Sequence, residues 1–162
     1  MGMDVRGVVV TERVGQGIEA LYRSDGDRLW RAVLMYAGDP EVASDAVAEA
    51  FAQALRRGDA VRDPRRWVWR ATFRIAAGEL KERRRVVVSA DEGYEHSELP
   101  LQLGMALAKL SPHQRAAVVL HHYVGYPVRD VARIIGSTAS AVGVHLYRGR
   151  RRLRRLLEEG DG

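Results

Sequence analysis

The sequence predicts an all-α chain made of two small helical units, and three observations predict it. Strand signals are almost absent, since the apolar triplets Val8 to Val10 and Val86 to Val88 are short and have no partner runs. Three pairs, Asp39-Pro40, Asp63-Pro64 and Ser111-Pro112, each set a capping side chain before a proline at the first helical position. Apolar residues elsewhere recur at helical spacing.

The elements follow in order. Helices are expected at Ile18 to Ala37, Pro40 to Arg57, Pro64 to Arg85, Leu103 to Lys109, Pro112 to Tyr123, Val128 to Ile135 and Ala139 to Glu158. Their ends are defined to within ~2–4 residues. Ser111 is followed by Gln114, which completes an S-x-x-Q capping box. Between Val86 and Leu101 the chain turns acidic and polar, with Asp91, Glu92, Glu95, Glu98 and Pro100. That stretch reads as a linker. It divides the chain into residues 15–86, a linker at 87–102 and a second unit at 103–159.

Composition narrows the function. The formal charge is +5, from 26 basic and 21 acidic side chains, so the basic excess is local rather than general. The absence of cysteine excludes disulfides and thiolate metal sites and suits a reducing cytosol. No apolar run approaches the roughly 20 residues that span a bilayer. The first residues lack a long apolar core or a small-residue cleavage pattern. A soluble, cytoplasmic protein without membrane insertion is expected.

Residues 111–157 carry the strongest signal. Val128, Val131, Ala132 and Ile135 fall at i, i+3, i+4 and i+7 and form one short amphipathic helix. Gly136 can take the positive φ of a sharp bend, and Ser137 or Thr138 can cap the next helix. There Val142, Leu146, Gly149, Leu153 and Leu156 share one face. Ser140, Val144, Tyr147, Arg148, Arg151 and Arg155 lie opposite, and His145 borders the apolar side. Ala139 to Leu157 holds six arginines and no acid. Two short helices around a tight glycine turn, the second basic and exposed, suit a DNA major groove.

The helix from Pro64 is the second nucleic-acid candidate. Trp67, Arg70, Arg74, Lys81 and Arg85 fall on one narrow stripe, while Trp69, Thr72, Ile75, Ala76 and Leu80 can pack inward. Cations track phosphates, and an exposed indole offers a platform for an unstacked base. The helix before it leaves Glu41, Asp45, Ala48 and Ala52 on an exposed strip, with acids near its N-terminus as the helix dipole favours. His121-His122 point in different directions and have no third ligand, so no metal site is expected. No phosphate loop, nucleophile elbow or pair of catalytic carboxylates is present, and neither a catalytic role nor a cofactor is expected.

In this order and spacing the elements resemble an extracytoplasmic-function sigma factor of bacterial RNA polymerase, over about Ile18 to Leu157. Gly38 to Phe51 resembles the family's "GDxxxAEDxVQEaF", and Arg65 to Arg85 its "aWLyrIArNxaxDxlRRrr". Leu110 to His122 resembles "LPxxQRxvxxLrh", and Val128 to Leu153 resembles "sxxEIAxxlGxsxGTVKSRLxRaRxxLr". The resemblance implies a sigma-2 domain at 15–86, which docks on core RNA polymerase and reads the −10 element, and a sigma-4 domain at 103–159, which reads the −35 element. It further implies polymerase contacts at Asp45, Ala48 and Glu49, and −10 contacts at Trp67, Arg70, Arg74 and Lys81. The −35 contacts would be Thr138, Ser140, Val144, His145, Arg148 and Arg151. Partners would be core polymerase, promoter DNA and, as is common in the family, an anti-sigma protein.

The sequence departs from the family pattern at several positions. Ala48 replaces the usual Gln, Arg74 and Gly78 stand where Asn and Asp are common, and Pro127 takes a Ser cap position. Ser140 to His145 replaces "GTVKSR", removing a lysine and an arginine. A glycine inside a helix costs ~1 kcal/mol relative to alanine, so Gly143 is expected to mark a close backbone approach. The competing reading is a helix-turn-helix transcription regulator with an N-terminal helical interaction domain. That reading leaves the Trp67 stripe without a role.

Overall fold

The computed structural model describes residues 5–86 and 100–161, with side chains from residue 12 to 83 and from 100 to 161. Most of the expected linker, residues 87–99, lies outside the described residues. Three helices form the N-terminal half: α1 (Val5–Ala37), α2 (Pro40–Arg57) and α3 (Pro64–Val86), with a short 3-10 turn at Gly58–Ala60 before α3. The other half holds α4 (Leu101–Ala108), α5 (Pro112–Val118), a wide π turn (Val119–Val124), α6 (Val128–Ile135) and α7 (Ala139–Gly160). No strand occurs among the described residues. The Val8–Val10 triplet, which the sequence reads as an isolated strand signal, lies inside α1. That helix begins thirteen residues before the expected Ile18. Helix α4 starts at Leu101, so the last two residues of the expected linker are helical.

The local code works as read. Asp39 accepts from the backbone N–H of Glu41 (2.9 Å) and Val42 (3.4 Å) and so caps α2. Asp63 does the same for α3 through Arg66 N–H (3.2 Å). Ser111 and Gln114 close a reciprocal capping box on α5, both bonds 3.2 Å. Each satisfies amide donors that the first helical turn otherwise leaves open. Gly136 ends α6 in the left-handed region (φ 68), which a β-carbon would strain. Thr138 then caps α7 by accepting from Ala141 N–H at 3.1 Å. Helix α5 departs from a plain helix, because the chain widens at Val119–Val124 and Tyr126 N–H reaches back to Leu120 O (3.0 Å).

The two halves share one core. Val42, Ala46, Ala50 and Ala54 of α2 and Val68, Trp69, Phe73 and Ala76 of α3 bury the side of α1 that carries Leu29, Val33 and Leu34. Val118, Leu120, Val131, Val142 and Leu146 continue that core into the C-terminal half. Helices α5 and α7 lie close together. A β-carbon on Gly149 would sit 3.0 Å from Val118 Cγ2 and 3.4 Å from Gln114 Cβ. Gly143, by contrast, is exposed with open space around it. The close approach expected at Gly143 therefore belongs to Gly149, six residues further along and on the buried face.

The two glycines should respond in opposite ways to alanine. Gly143→Ala gains helix propensity without a clash and should stabilise the fold by up to ~1 kcal/mol. Gly149→Ala forces apart two packed helices and should destabilise by ~1–3 kcal/mol. Urea denaturation of the two variants measures both.

Candidate nucleic-acid and polymerase interfaces

Helix α3 places its sequence-predicted residues on one side. Arg70, Arg74 and Lys81 are exposed, and Trp67 is half-buried with the Arg57 guanidinium 5.4 Å from its ring. None of Arg70, Arg74 and Lys81 makes a hydrogen bond or ion pair among the described residues. The neighbouring tryptophan does the structural work: Trp69 is 2% exposed, as the wheel predicts for the inward face. Ala71, next to Arg70 and Arg74 on the helix, is buried.

This stripe faces the helix-turn-helix, not open solvent alone. A cavity of about 460 Å³ lies between α3, α5 and α6, lined by Arg70, Arg74, Lys81, His113, Ile134 and Ile135 among others. A second, of about 340 Å³, lies beside it, lined by Val61, Asp63, Arg66, Trp67, Tyr126 and Asp130 among others. In the larger cavity the cations stand over an apolar floor, which suits a phosphate chain whose bases seek a ring to stack on.

On α7, Ser140, Val144, Tyr147, Arg148 and Arg151 are exposed together. Val144 is 46% and Tyr147 58% exposed, large apolar surfaces that a globular fold normally hides. Arg151 donates to the Tyr147 hydroxyl at 3.2 Å, which orients both along the helix. Thr138 spends its hydroxyl oxygen on the cap. His145 turns toward α5, where its ring lies 5.3 Å from that of His113.

On α2, Asp45, Ala48 and Glu49 are exposed. Glu49 accepts from Gln53 (2.9 Å) and pairs with Arg56 (3.0 Å), and these contacts hold its carboxyl below the usual carboxylate range. The exposed strip continues past the residues singled out from sequence: Leu55 follows Asp45, Ala48 and Ala52 at helical spacing and is 54% exposed. Tyr22 of α1, 55% exposed, packs edge-on against Phe51 at 5.1 Å. An acidic strip ending in apolar side chains can dock on a protein surface.

The family model for sigma-70 region 4 matches residues 101–153, from the start of α4 through most of α7. Over 157 residues the chain is 30% identical to SigI, a probable ECF RNA polymerase sigma factor of Mycobacterium tuberculosis. Over 158 residues it is 29% identical to the ECF RNA polymerase sigma factor SigL of the same species, covering 88% of this chain and 89% of SigL. Most of the chain is thus similar to ECF RNA polymerase sigma factors, and residues 101–153 match sigma-70 region 4.

Against SigI the match covers 84% of this chain but 54% of that protein, so the chain spans about half of SigI's length. The fold agrees. The sigma factor RpoE of Bartonella quintana, crystallised with the anti-sigma factor NepR, superposes with a TM-score of 0.75 at 20% identity, covering 88% of this chain and 98% of RpoE. CnrH, in complex with the cytosolic domain of CnrY, does so with a TM-score of 0.68 at 22% identity, covering 93% and 96%. Within this ECF fold the exposed Tyr22, Leu55 and Tyr147 are surface residues that the sequence reading left out of its site. The signal for Leu55 was available, as the next position on the Glu41, Asp45, Ala48, Ala52 strip.

The histidines add a pH dependence. Burial, then the neighbouring His113 and Arg148, push His145 below the ordinary imidazole range. Burial, then His121 and Arg150, do the same to His122. Both are therefore more readily protonated in the unfolded chain. Their stabilising contribution is full above the ordinary imidazole pKa of about 6.5 and shrinks as pH falls through it. Thermal melting between about pH 7.5 and pH 5.5 should show this loss. His145→Gln with His122→Gln should flatten it.

Proposed function

We propose that this chain is an alternative sigma factor, which binds core RNA polymerase and directs transcription initiation at promoters carrying −35 and −10 elements. One observation carries the reading: a region 4 helix-turn-helix with an exposed basic helix shares a chain with a second helix that bears exposed cations beside an indole. A simple repressor or activator needs only the first. On this reading residues 15–86 form sigma-2, 103–159 form sigma-4, and the linker at 87–102 sets their reach. The chain performs no chemistry of its own and acts in the cytoplasm, where the polymerase is.

Roles follow from the surroundings of each side chain. Asp45 and Glu49, with Ala48, Leu55 and Tyr22, dock on the polymerase. Arg148 and Arg151 hold phosphates, while Ser140, Val144 and Tyr147 lie nearer the base edges, where an apolar side chain meets a thymine methyl. The neutral His145 adds no charge there at pH 7. On α3, Arg70, Arg74 and Lys81 track the single strand and Trp67 receives an unstacked base. Removing that base from the duplex costs a few kcal/mol, which stacking of ~1–3 kcal/mol per base offsets in part. An anti-sigma protein, such as the NepR bound to RpoE, would be a further partner.

Run-off transcription on genomic DNA with purified core polymerase tests the reading. Discrete start sites are expected only when the chain is added, and their absence would overturn it. Charge reversal by Asp45→Arg with Glu49→Arg should lower affinity for core polymerase at least tenfold, the effect of losing ~1.4 kcal/mol, with the far-ultraviolet spectrum unchanged.

The two tryptophans should separate. Trp67→Ala should keep the fold and polymerase binding yet reduce open-complex formation on linear templates, read by permanganate footprinting. A pre-melted −10 bubble should restore part of it. Trp69→Ala should instead cost ~3–5 kcal/mol of stability. Normal opening by a folded Trp67→Ala chain would move base capture elsewhere.

A further inference from the structure

We infer that the larger cavity, between α3, α5 and α6, binds an amphiphilic anion: an aliphatic tail lies on its floor, and a carboxylate or phosphate head sits at its mouth on Arg70 and Arg74. The site rests on the cavity alone. Its consequence for DNA rests on reading α3 as the −10 helix.

A volume of about 460 Å³ falls in the range that holds small molecules. The floor is apolar and closed: Phe73, Ala116 and Ile134 are buried, and Leu80 and Ile135 pack against the same core. Among the described residues, no Asp, Glu, Asn, Gln, Ser or Thr side chain lines the space. Arg70, Arg74 and Lys81 are exposed and form the mouth. From below, the buried Arg115 guanidinium, 5.3 Å from the Tyr36 ring, adds positive potential. An apolar trough with cations and no acid in its lining is the complement of a tail with an anionic head.

The head has a defined seat. Arg70 and Arg74 are one turn apart on α3, so their stems stand roughly 5–6 Å apart and both guanidinium groups reach one carboxylate or phosphate. Lys81 lies about 10 Å farther along the axis and contributes attraction at longer range. Other occupants fit worse. A nucleobase would bring donors and acceptors to a floor of alkyl and ring carbon, where each one buried without a partner costs affinity. Trp67, the indole available for stacking, lines the smaller cavity. That smaller cavity does not select an anion, because its charges are balanced. Arg66 pairs with Asp63 at 3.4 Å, and Asp130 lies 3.7 Å from both Arg66 and Arg133.

Head and DNA then compete. On the −10 reading Arg70 and Arg74 track the single strand, so a head seated on them takes those cations from the phosphates. The amphiphile is thereby an inhibitor of single-strand capture, while duplex binding through α7 stays as it was.

Isothermal titration calorimetry of the full chain with dodecanoate, kept below its micelle concentration, tests the site. One equivalent should bind. Each methylene removed, through decanoate to octanoate, should weaken binding by up to about fourfold, the worth of one buried CH₂. Dodecanol, which lacks the charge, should bind on the order of tenfold more weakly, and Arg70→Gln with Arg74→Gln should weaken dodecanoate as much. Ala77→Trp, at an exposed position on the mouth, keeps every cation and should abolish binding by filling the space. Dodecyl phosphate beside dodecanoate tells a phosphate head from a carboxylate. Affinity that ignores tail length, several equivalents per chain, or binding untouched by both variants would overturn the site.

Fluorescence anisotropy with a labelled oligothymidylate strand tests the consequence. Dodecanoate at about ten times its dissociation constant should weaken strand binding on the order of tenfold, and should not do so in the Ala77→Trp chain. Strand binding indifferent to bound dodecanoate would overturn the competition and leave the pocket standing. Failure of the free chain to bind the strand at all would remove the −10 reading, with the pocket still decided by calorimetry.

Discussion

One carboxylate, that of Asp25, holds the N-terminal half in register. The indole N–H of Trp69 donates to it at 3.3 Å, Arg65 pairs with it at 3.1 Å, and the Ser24 hydroxyl donates at 2.8 Å. A buried indole needs a partner for its one polar atom, and a shielded carboxylate needs several donors. Each group meets the other's requirement. With Trp69 fixed against α1, α3 has one rotation about its axis left. That rotation turns Phe73 and Ala76 inward and Arg70, Arg74 and Lys81 outward. The placement of the cationic face is thus a consequence of a buried contact on the other side of the same helix.

The seam between the halves depends on the same ring. Trp69 stacks on Phe73 at 6.5 Å and takes the edge of Tyr126 at 5.7 Å. Burial, with Asp25 nearby, pushes the Tyr126 phenol up to about 12. The tyrosine is therefore neutral at any physiological pH and can sit at the seam without introducing a charge. The ion pairs around it are loose or exposed and worth little singly, so packing rather than charge sets how the two halves meet.

Much of this was legible in the residues because it is local. Caps are read from Asp39, Asp63 and Ser111 because the hydrogen bonds they make reach only two or three residues ahead. The division of α7 into a buried face at Val142 and Leu146 and an exposed face at Ser140 and Arg151 follows from period alone. What could not be read depends on partners far away in the chain. Gly149 was not separable from Gly143 until Val118 was placed beside it, and the widening at Val119–Val124 has no composition signal. Tyr22 shows its exposure only against Phe51. The cationic stripe of α3 was legible as a stripe, but that α6 lies across it was not, since nothing in α3 encodes which element covers its polar face.

Helix α7 serves as both reader and frame. Its first turns carry the exposed side chains proposed to face DNA, and its last turn meets α4, where Gln102 lies 3.5 Å from Asp161. Twenty-two residues at 1.5 Å each make a rod about 33 Å long. Gly149 lets that rod lie tight against α5 midway, which gives it a fulcrum. Tilting the tip in a groove must then swing the far end the opposite way, against α4, next to the point where the chain arrives from the N-terminal half. A helix proposed to read sequence at one end is in this sense also a lever, and its load is the spacing between the two halves of the molecule.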